Sequence, residues 1–207
     1  MSVADPLLPG MAVSRETVER LLALQSLLTK WNPAINLVSK ASLSDAWNRH
    51  ILDSVQIYAL APSAGDRWVD LGSGGGFPGL VVAILAQDRD PGRIVTLVEA
   101  DQRKATFLRQ AAQTLGTPIT VRDQRIEELE PMRADVLSAR ALAPLTKLCA
   151  FAVRHMRADG IALFQKGANY RSEVDAAVAE WKFDMTVHPS ETDSSAVTLA
   201  LKAIVHV

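Results

Sequence analysis

This sequence lacks many of the features that would announce a function. One cysteine, Cys149, stands in 207 residues, so no internal disulfide staples the chain and a reducing compartment suits it. Neither sign of charge dominates: 22 basic groups face 23 acidic ones, net −1, which excludes a histone-like or wholly basic nucleic-acid binder. The longest apolar run, Leu80 to Ala86, is far shorter than the roughly 20 residues of a membrane span. Residues 1–13 have neither a positive start nor a long apolar stretch, so no secretory signal is expected, and the chain reads as cytoplasmic. The histidines, His50, His155, His188 and His206, lie far apart, so no metal site is expected. There is no G-x-S-x-G elbow and no Walker lysine, and no internal repeat or low-complexity tract.

What is present is an alternation of helical and strand patterns. At roughly 150 residues per domain, the length fits one domain with a small appendage. Residues 1–13, with Pro6, Pro9 and Gly10, read as a loose lead-in. Ser14 is a plausible N-cap for a helix whose apolar stripe is Val18, Leu21, Leu22, Leu28 and Trp31, widened by Leu24 and Leu27 and ended by Pro33. A second helix is expected from about Ser42 to Leu60, with 62–66 as a linker, so 1–64 reads as a helical appendage. From 65 to 207 strands are expected at 68–71, 94–98, 119–121, 134–138, 161–165, 183–188 and 196–205. Helices fall between them at 80–87, 101–115, 144–157 and 171–181, and Asp159-Gly160 reads as a turn. This predicts an α/β, mainly parallel sheet covered on both faces, its last two strands an antiparallel pair. The middle of the chain, 67–171, is modestly basic (15 basic, 11 acidic groups), and 172–207 is acidic (2 against 6). A basic face for an anion such as nucleic acid is one reading of this split.

The sharpest signal runs from Val69 to Gly79, Val-Asp-Leu-Gly-Ser-Gly-Gly-Gly-Phe-Pro-Gly, at the junction of the first strand and its helix. Glycines let a backbone approach a ligand, and a helix start offers free N–H groups. Gly74-x-Gly76-x-x-Gly79 formally matches a dinucleotide fingerprint. Yet the strand ends in Asp70, and a carboxylate there suits a cationic ligand better than a pyrophosphate. S-adenosylmethionine carries a sulfonium and an ammonium but no phosphate, and Asp70 is a candidate to attract that positive end. The next strand ends in Glu99, whose carboxylate can accept both ribose hydroxyls of an adenosine in either cofactor class. No general base stands out, which fits methyl transfer to a ring nitrogen whose lone pair needs no deprotonation; alignment alone can supply on the order of 7–11 kcal/mol.

Further motifs accompany the loop: Trp31-Asn32-x-x-Ile35-Asn36-Leu37, Arg49-His50-x-x-Asp53-Ser54, Leu97-Val-Glu99, Lys104-x-x-Phe107-Leu108, Arg140-Ala141 and Lys166-Gly167. Together they resemble the RsmG (GidB) family, bacterial methyltransferases of guanine N7 in small-subunit ribosomal RNA. The resemblance runs from about Trp31 to Lys166. It implies a Rossmann-like seven-stranded S-adenosylmethionine-dependent methyltransferase sheet with S-adenosyl-L-methionine as cofactor. Cofactor contacts carried over are Gly72, Phe77, Glu99, Ile126, Glu127 and Arg140, with Asp70 and Gly74 in the same loop. His50, Asp53, Arg125, Arg140 and Lys166 map to positions facing the shared cleft, and His50, Arg125, Arg140 and Lys166 are the candidates for the chemistry. The partner implied is ribosomal RNA or the small ribosomal subunit, met by a monomer without metal or membrane. Two departures stand out: Val38 replaces the family's usual Thr, and Ser194-Ser195-Ala196 replaces a stretch that commonly starts the last strand with an Arg.

Rival readings are a methyltransferase of the same fold acting on a small molecule or protein, a nicotinamide-dependent dehydrogenase, and a ribosome-assembly module without catalysis. Trp31 and Trp47 are expected to pack between helices, and Cys149 to sit in the core.

Overall fold

The computed structural model describes residues 3–4, 8, 10–62 and 66–207. The chain opens with a short antiparallel pair, β1 (Val3–Ala4) and β2 (Ala12–Val13), where a loose lead-in is expected. Helix α1 (Arg15–Ile35) starts where the Ser14 hydroxyl accepts the Thr17 N–H. It buries Val18, Leu21, Leu24 and Leu28 at helical spacing, while Leu22, one step round from Leu21, stays 40% exposed and falls outside the stripe. Pro33 does not end this helix. It lies in the last turn, where it costs one N–H bond, and the end comes at Asn36, whose left-handed backbone closes onto the Asn32 carbonyl.

The helix expected over 42–60 is three pieces: α2 (Lys40–Leu43), a π-helical turn (Trp47–Leu52) and α3 (Asp53–Leu60). Ser39, not Ser42, caps the first piece. The wide turn places Arg49, His50 and Asp53 together. Of the linker expected at 62–66, residues 63–65 lie outside the described residues.

The core is a seven-stranded sheet in the order β5-β4-β3-β6-β7-β9-β8. Its strands are β3 (Arg67–Leu71), β4 (Ile94–Val98), β5 (Thr120–Arg122), β6 (Ala134–Arg140), β7 (Met156–Lys166), β8 (Trp181–Pro189) and β9 (Val197–His206). The first five run parallel, and β9 and β8 are antiparallel at one edge. The helices between them are α4 (Gly79–Arg89), α5 (Gln102–Leu115), α6 (Leu145–His155) and α7 (Tyr170–Ala177). Strand β7 is eleven residues long, so Asp159-Gly160 lies within it as an irregularity of its pairing with β6 and not as a turn before it. Helix α7 stops at Ala177, short of the expected 181.

Side chains alternate between two cores. Trp68, Leu97, Val136 and Leu163 face α1, α3, α4 and α5; Val69, Val98, Leu137 and Phe164 face α6 and α7. The first core also holds Leu21, Leu28, Ile51 and Ile57, so the N-terminal helices close the same apolar layer as α4 and α5. Trp31 packs edge-on against Phe107 at 5.7 Å and Trp47 packs against the same core, as expected, and Cys149 is buried on the inner face of α6. Among the described residues no helix is long and apolar enough to cross a membrane.

Candidate active site

A cleft opens at the carboxyl ends of the parallel strands, where ligand crevices form in such sheets. One side is the turn after β3. Gly72, Gly74 and Gly76 take φ of 65°, 52° and 89°, the left-handed region that glycine enters without strain. A Cβ on Gly72 would stand 2.6 Å from a Leu142 methyl, so the backbone there lies flush under the cleft. The Gly74 N–H donates to Glu99 Oε2 at 2.8 Å, and the Asp101 N–H to Glu99 Oε1 at 2.9 Å. Each oxygen keeps a free lone pair, so Glu99 is held in place and still able to accept hydroxyls.

Asp70 has no exposed surface and does not line the cleft. Its Oδ1 accepts the Ser138 hydroxyl at 2.7 Å, and Oδ2 accepts the Gly79 N–H at 3.2 Å. Ser138 in turn accepts the Trp68 indole N–H at 2.8 Å. Burial pushes the Asp70 carboxyl up to about 6, against hydrogen bonds from Ser138, Ser73 and Gly79 and the charge of Arg140. Direct attraction of a ligand cation by Asp70, expected from the sequence, is therefore corrected: the carboxylate is an internal anchor for the start of α4. A Cβ on Gly79 would approach Asp70 Oδ2 to 2.7 Å and Leu97 to 2.1 Å, which explains the last glycine of the motif.

The other side is built from side chains far apart in sequence. Arg140, at the end of β6, donates to the Arg49 carbonyl at 3.0 Å, pairs with Asp53 at 3.7 Å and lies 5.3 Å above the Phe77 ring. Asp53 also accepts from Ser190 and Thr192, each at 3.3 Å, in the β8–β9 loop. Burial raises its pKa, opposed first by Arg140. The His50 ring stacks on Phe77 at 4.9 Å, and neither ring nitrogen has a partner among the described residues. Burial, then Arg140 and Arg49, lower its pKa to about 3, so His50 is neutral at physiological pH. Ala141, next to Arg140, takes a left-handed φ of 51°, which turns the chain sharply at the cleft wall.

Lys166 lines the cleft from the opposite face of β7. Its Nζ donates to Glu173 Oε2 at 2.6 Å and to the Ala143 carbonyl at 2.7 Å. It does not join Arg140, His50 and Asp53. The residue that does is Gln165, whose Nε2 donates to Asp53 Oδ2 at 2.6 Å. Sequence reasoning passed over Gln165, although the period-two alternation of β7 puts Gln165 and not Lys166 on the face of Leu163. On the far side Arg125 is exposed beside the turn 126–128, and Glu127 is ion-paired with Lys147 at 2.9 Å, which lowers its pKa. Ile126 is buried, its carbonyl 3.1 Å from His155 Nε2. Among the described residues no group of His, Cys, Asp and Glu could hold a metal ion.

The lining suits an adenosine-bearing ligand without phosphates. The loop has backbone donors but no lysine, its facing carboxylate would repel a pyrophosphate, and Arg140 offers a held cation for a carboxylate.

The family model described as rRNA small subunit methyltransferase G matches residues 17–198. Ribosomal RNA small subunit methyltransferase G of Cereibacter sphaeroides is 53% identical over 198 residues, covering 96% of this chain and 95% of that protein. The protein of the same name from Ruegeria pomeroyi is 52% identical, covering 94% and 95%. Among solved structures, a ribosomal protein L11 methylase from Lactobacillus delbrueckii has a TM-score of 0.59 at 15% identity, covering 74% of this chain and 78% of that one. A TehB-like SAM-dependent methyltransferase from Corynebacterium glutamicum has 0.57 at 15%, covering 87% and 98%.

Proposed function

The chain belongs to the rRNA small subunit methyltransferase G family, and from that premise we propose that it methylates N7 of a guanine in small-subunit ribosomal RNA with S-adenosyl-L-methionine. The observation that carries the reading is the glycine turn with Glu99, whose lining suits a nucleoside without phosphates, placed one strand away from the half-buried Arg140.

The bound cofactor supplies an electrophilic methyl group on a sulfonium. That methyl group would pass to the lone pair of the guanine N7, and no proton would have to leave. The protein's part is to hold both partners in line. Glu99 would take the ribose hydroxyls, Ile126 and Glu127 would border the adenine, and Gly72, Gly74 and Phe77 would support the rest, with Asp70 fixing the turn from below. Arg140 is kept extended by Asp53 and the Arg49 carbonyl, so its guanidinium binds a carboxylate or the guanine O6 and leaves N7 free. His50, neutral and stacked on Phe77, walls the reacting centre without adding charge. The exposed Arg125 serves the RNA backbone at the rim, while Lys166, buried and paired with Glu173 and the Ala143 carbonyl, steadies the cleft wall. The segment 1–64 brings Arg49, His50 and Asp53 to the catalytic unit 65–207. The protein works as a monomer in the cytoplasm, on ribosomal RNA or the small subunit.

The test is to map N7-methylguanine in small-subunit ribosomal RNA from cells with and without the protein. A site that loses its methyl group on deletion supports the reading. A radiolabelled methyl donor that marks only protein or metabolites rejects it, and stabilisation by NAD but not by S-adenosylhomocysteine revives a dehydrogenase.

A further inference from the structure

Gln165 is nine-tenths buried, yet its Oε1 has no partner among the described residues. The orientation of its amide is determined. Nε2 sits 2.6 Å from the Asp53 carboxylate and 3.2 Å from the Asp53 carbonyl, and both are acceptors only. Rotating the amide would set Oε1 against two oxygens, so the donor stays on Asp53 and the acceptor stays free. A buried acceptor without a partner is costly, on the order of 1–3 kcal/mol, which marks a place where a ligand donor belongs.

Strand order says which ligand. Glu99 ends β4, the glycine turn follows β3, Arg140 ends β6 and Gln165 lies near the end of β7, in the sheet sequence β4-β3-β6-β7. At about 4.8 Å per strand, Gln165 stands roughly 10 Å beyond the glycine turn, on the side away from Glu99. Resting on the reading above, a cofactor whose ribose meets Glu99 and whose reacting end meets the turn leaves β6 and β7 to the methyl acceptor. The charges there are already matched, Arg140 against Asp53, so the position left unpaired is neutral.

We propose that Gln165 is a specificity-determining residue that accepts a hydrogen bond from the guanine's exocyclic 2-amino group through Oε1. The contact lies on the base edge away from N7, so it orients the ring and leaves the nucleophile open. A base without that amine leaves the acceptor orphaned, and discrimination of about tenfold is expected from the loss.

The test compares guanosine 5′-monophosphate with inosine 5′-monophosphate, which lacks only the 2-amino group, by titration into the full-length protein loaded with S-adenosylhomocysteine. The wild type is expected to favour the guanosine nucleotide about tenfold. Gln165→Leu, close in volume and without an acceptor, is expected to bring that ratio near one while its affinity for S-adenosylhomocysteine stays within about twofold. A merely structural role through Asp53 would weaken both nucleotides alike and leave the ratio unchanged. A wild type that does not favour the guanosine nucleotide overturns the proposal, as does a variant that keeps the ratio. So does one whose loss falls on S-adenosylhomocysteine, which would assign the acceptor to the cofactor's ammonium. Should Gln165→Leu not fold, Gln165→Met repeats the comparison. Failure of the wild type to bind S-adenosylhomocysteine at all would strike the functional reading instead.

Discussion

The two sides of the cleft are made differently. The side formed by Gly72 to Gly79 and Glu99 is backbone held by two nearby carboxylates: Gly74 N–H on Glu99, Gly79 N–H on Asp70. The side formed by His50, Asp53, Arg140 and Gln165 is side chain held by side chain, with partners up to 139 positions apart, as in the Thr192–Asp53 bond. The first is rigid by local geometry and tolerates little added volume. The second depends on ion pairs and amides between separate elements, so a change at one member propagates to the others without unfolding the sheet.

This contrast can be broken most severely at Gly79. Gly79→Ala drives a Cβ into Leu97 and the Asp70 carboxylate; a loss of about 3 kcal/mol in urea unfolding is expected, with loss of S-adenosylhomocysteine binding. Next, Arg140→Ala strips a cation from Asp53, Phe77 and the Arg49 carbonyl. Methyl transfer to small subunits should fall about 100-fold, roughly 2.7 kcal/mol, while thermal unfolding stays cooperative. Unchanged turnover would remove Arg140 from the mechanism. Asp53→Asn should act on one side alone: about tenfold slower transfer, with S-adenosylhomocysteine affinity unchanged within about twofold.

A smaller effect sharpens the electrostatic picture. His50 is lowered to about 3 in the folded state, so the unfolded chain takes up its proton first. Its contribution to stability is full above the unfolded value of about 6.5 and is lost as pH falls toward 3. Asp70, raised to about 6, has the opposite sign: the folded state takes up its proton first, and stability is gained as pH falls through 6. Between pH 7 and 5 the two oppose each other. His50→Gln should therefore lose less stability on acidification than the wild type, read as urea midpoints at both pH values. Smallest of all, Arg125→Ala at the exposed rim should weaken RNA binding about threefold and reduce the salt slope by about one, with turnover at saturation unchanged.

The strand-and-helix alternation was legible because each element carries its own period: Ile94–Val98 is β-branched and apolar, and Asp101 caps α5 with its side chain, accepting the Arg103 N–H at 2.9 Å. Readings failed where a local rule met a tertiary demand. Pro33 costs α1 one N–H bond near its end, and the helix still runs on to the Asn36 cap. The 42–60 helix broke because the π turn brings His50 onto Phe77 and Asp53 onto Arg140. Asp70 reads as a carboxylate facing a ligand cation at a strand end, but the sheet closes over it.

By itself the sequence determined the sheet, the glycine turn, its neighbouring carboxylate and the family, because these rest on spacing within a few residues and on the period of side chains along a strand. Only the tertiary structure decided which face of β7 meets Asp53, that Asp70 is an anchor, and that Gln165 and the 190–193 loop join Asp53 and Arg140. Those outcomes depend on which strands lie side by side, and adjacency in a sheet is set by the packing of the whole chain.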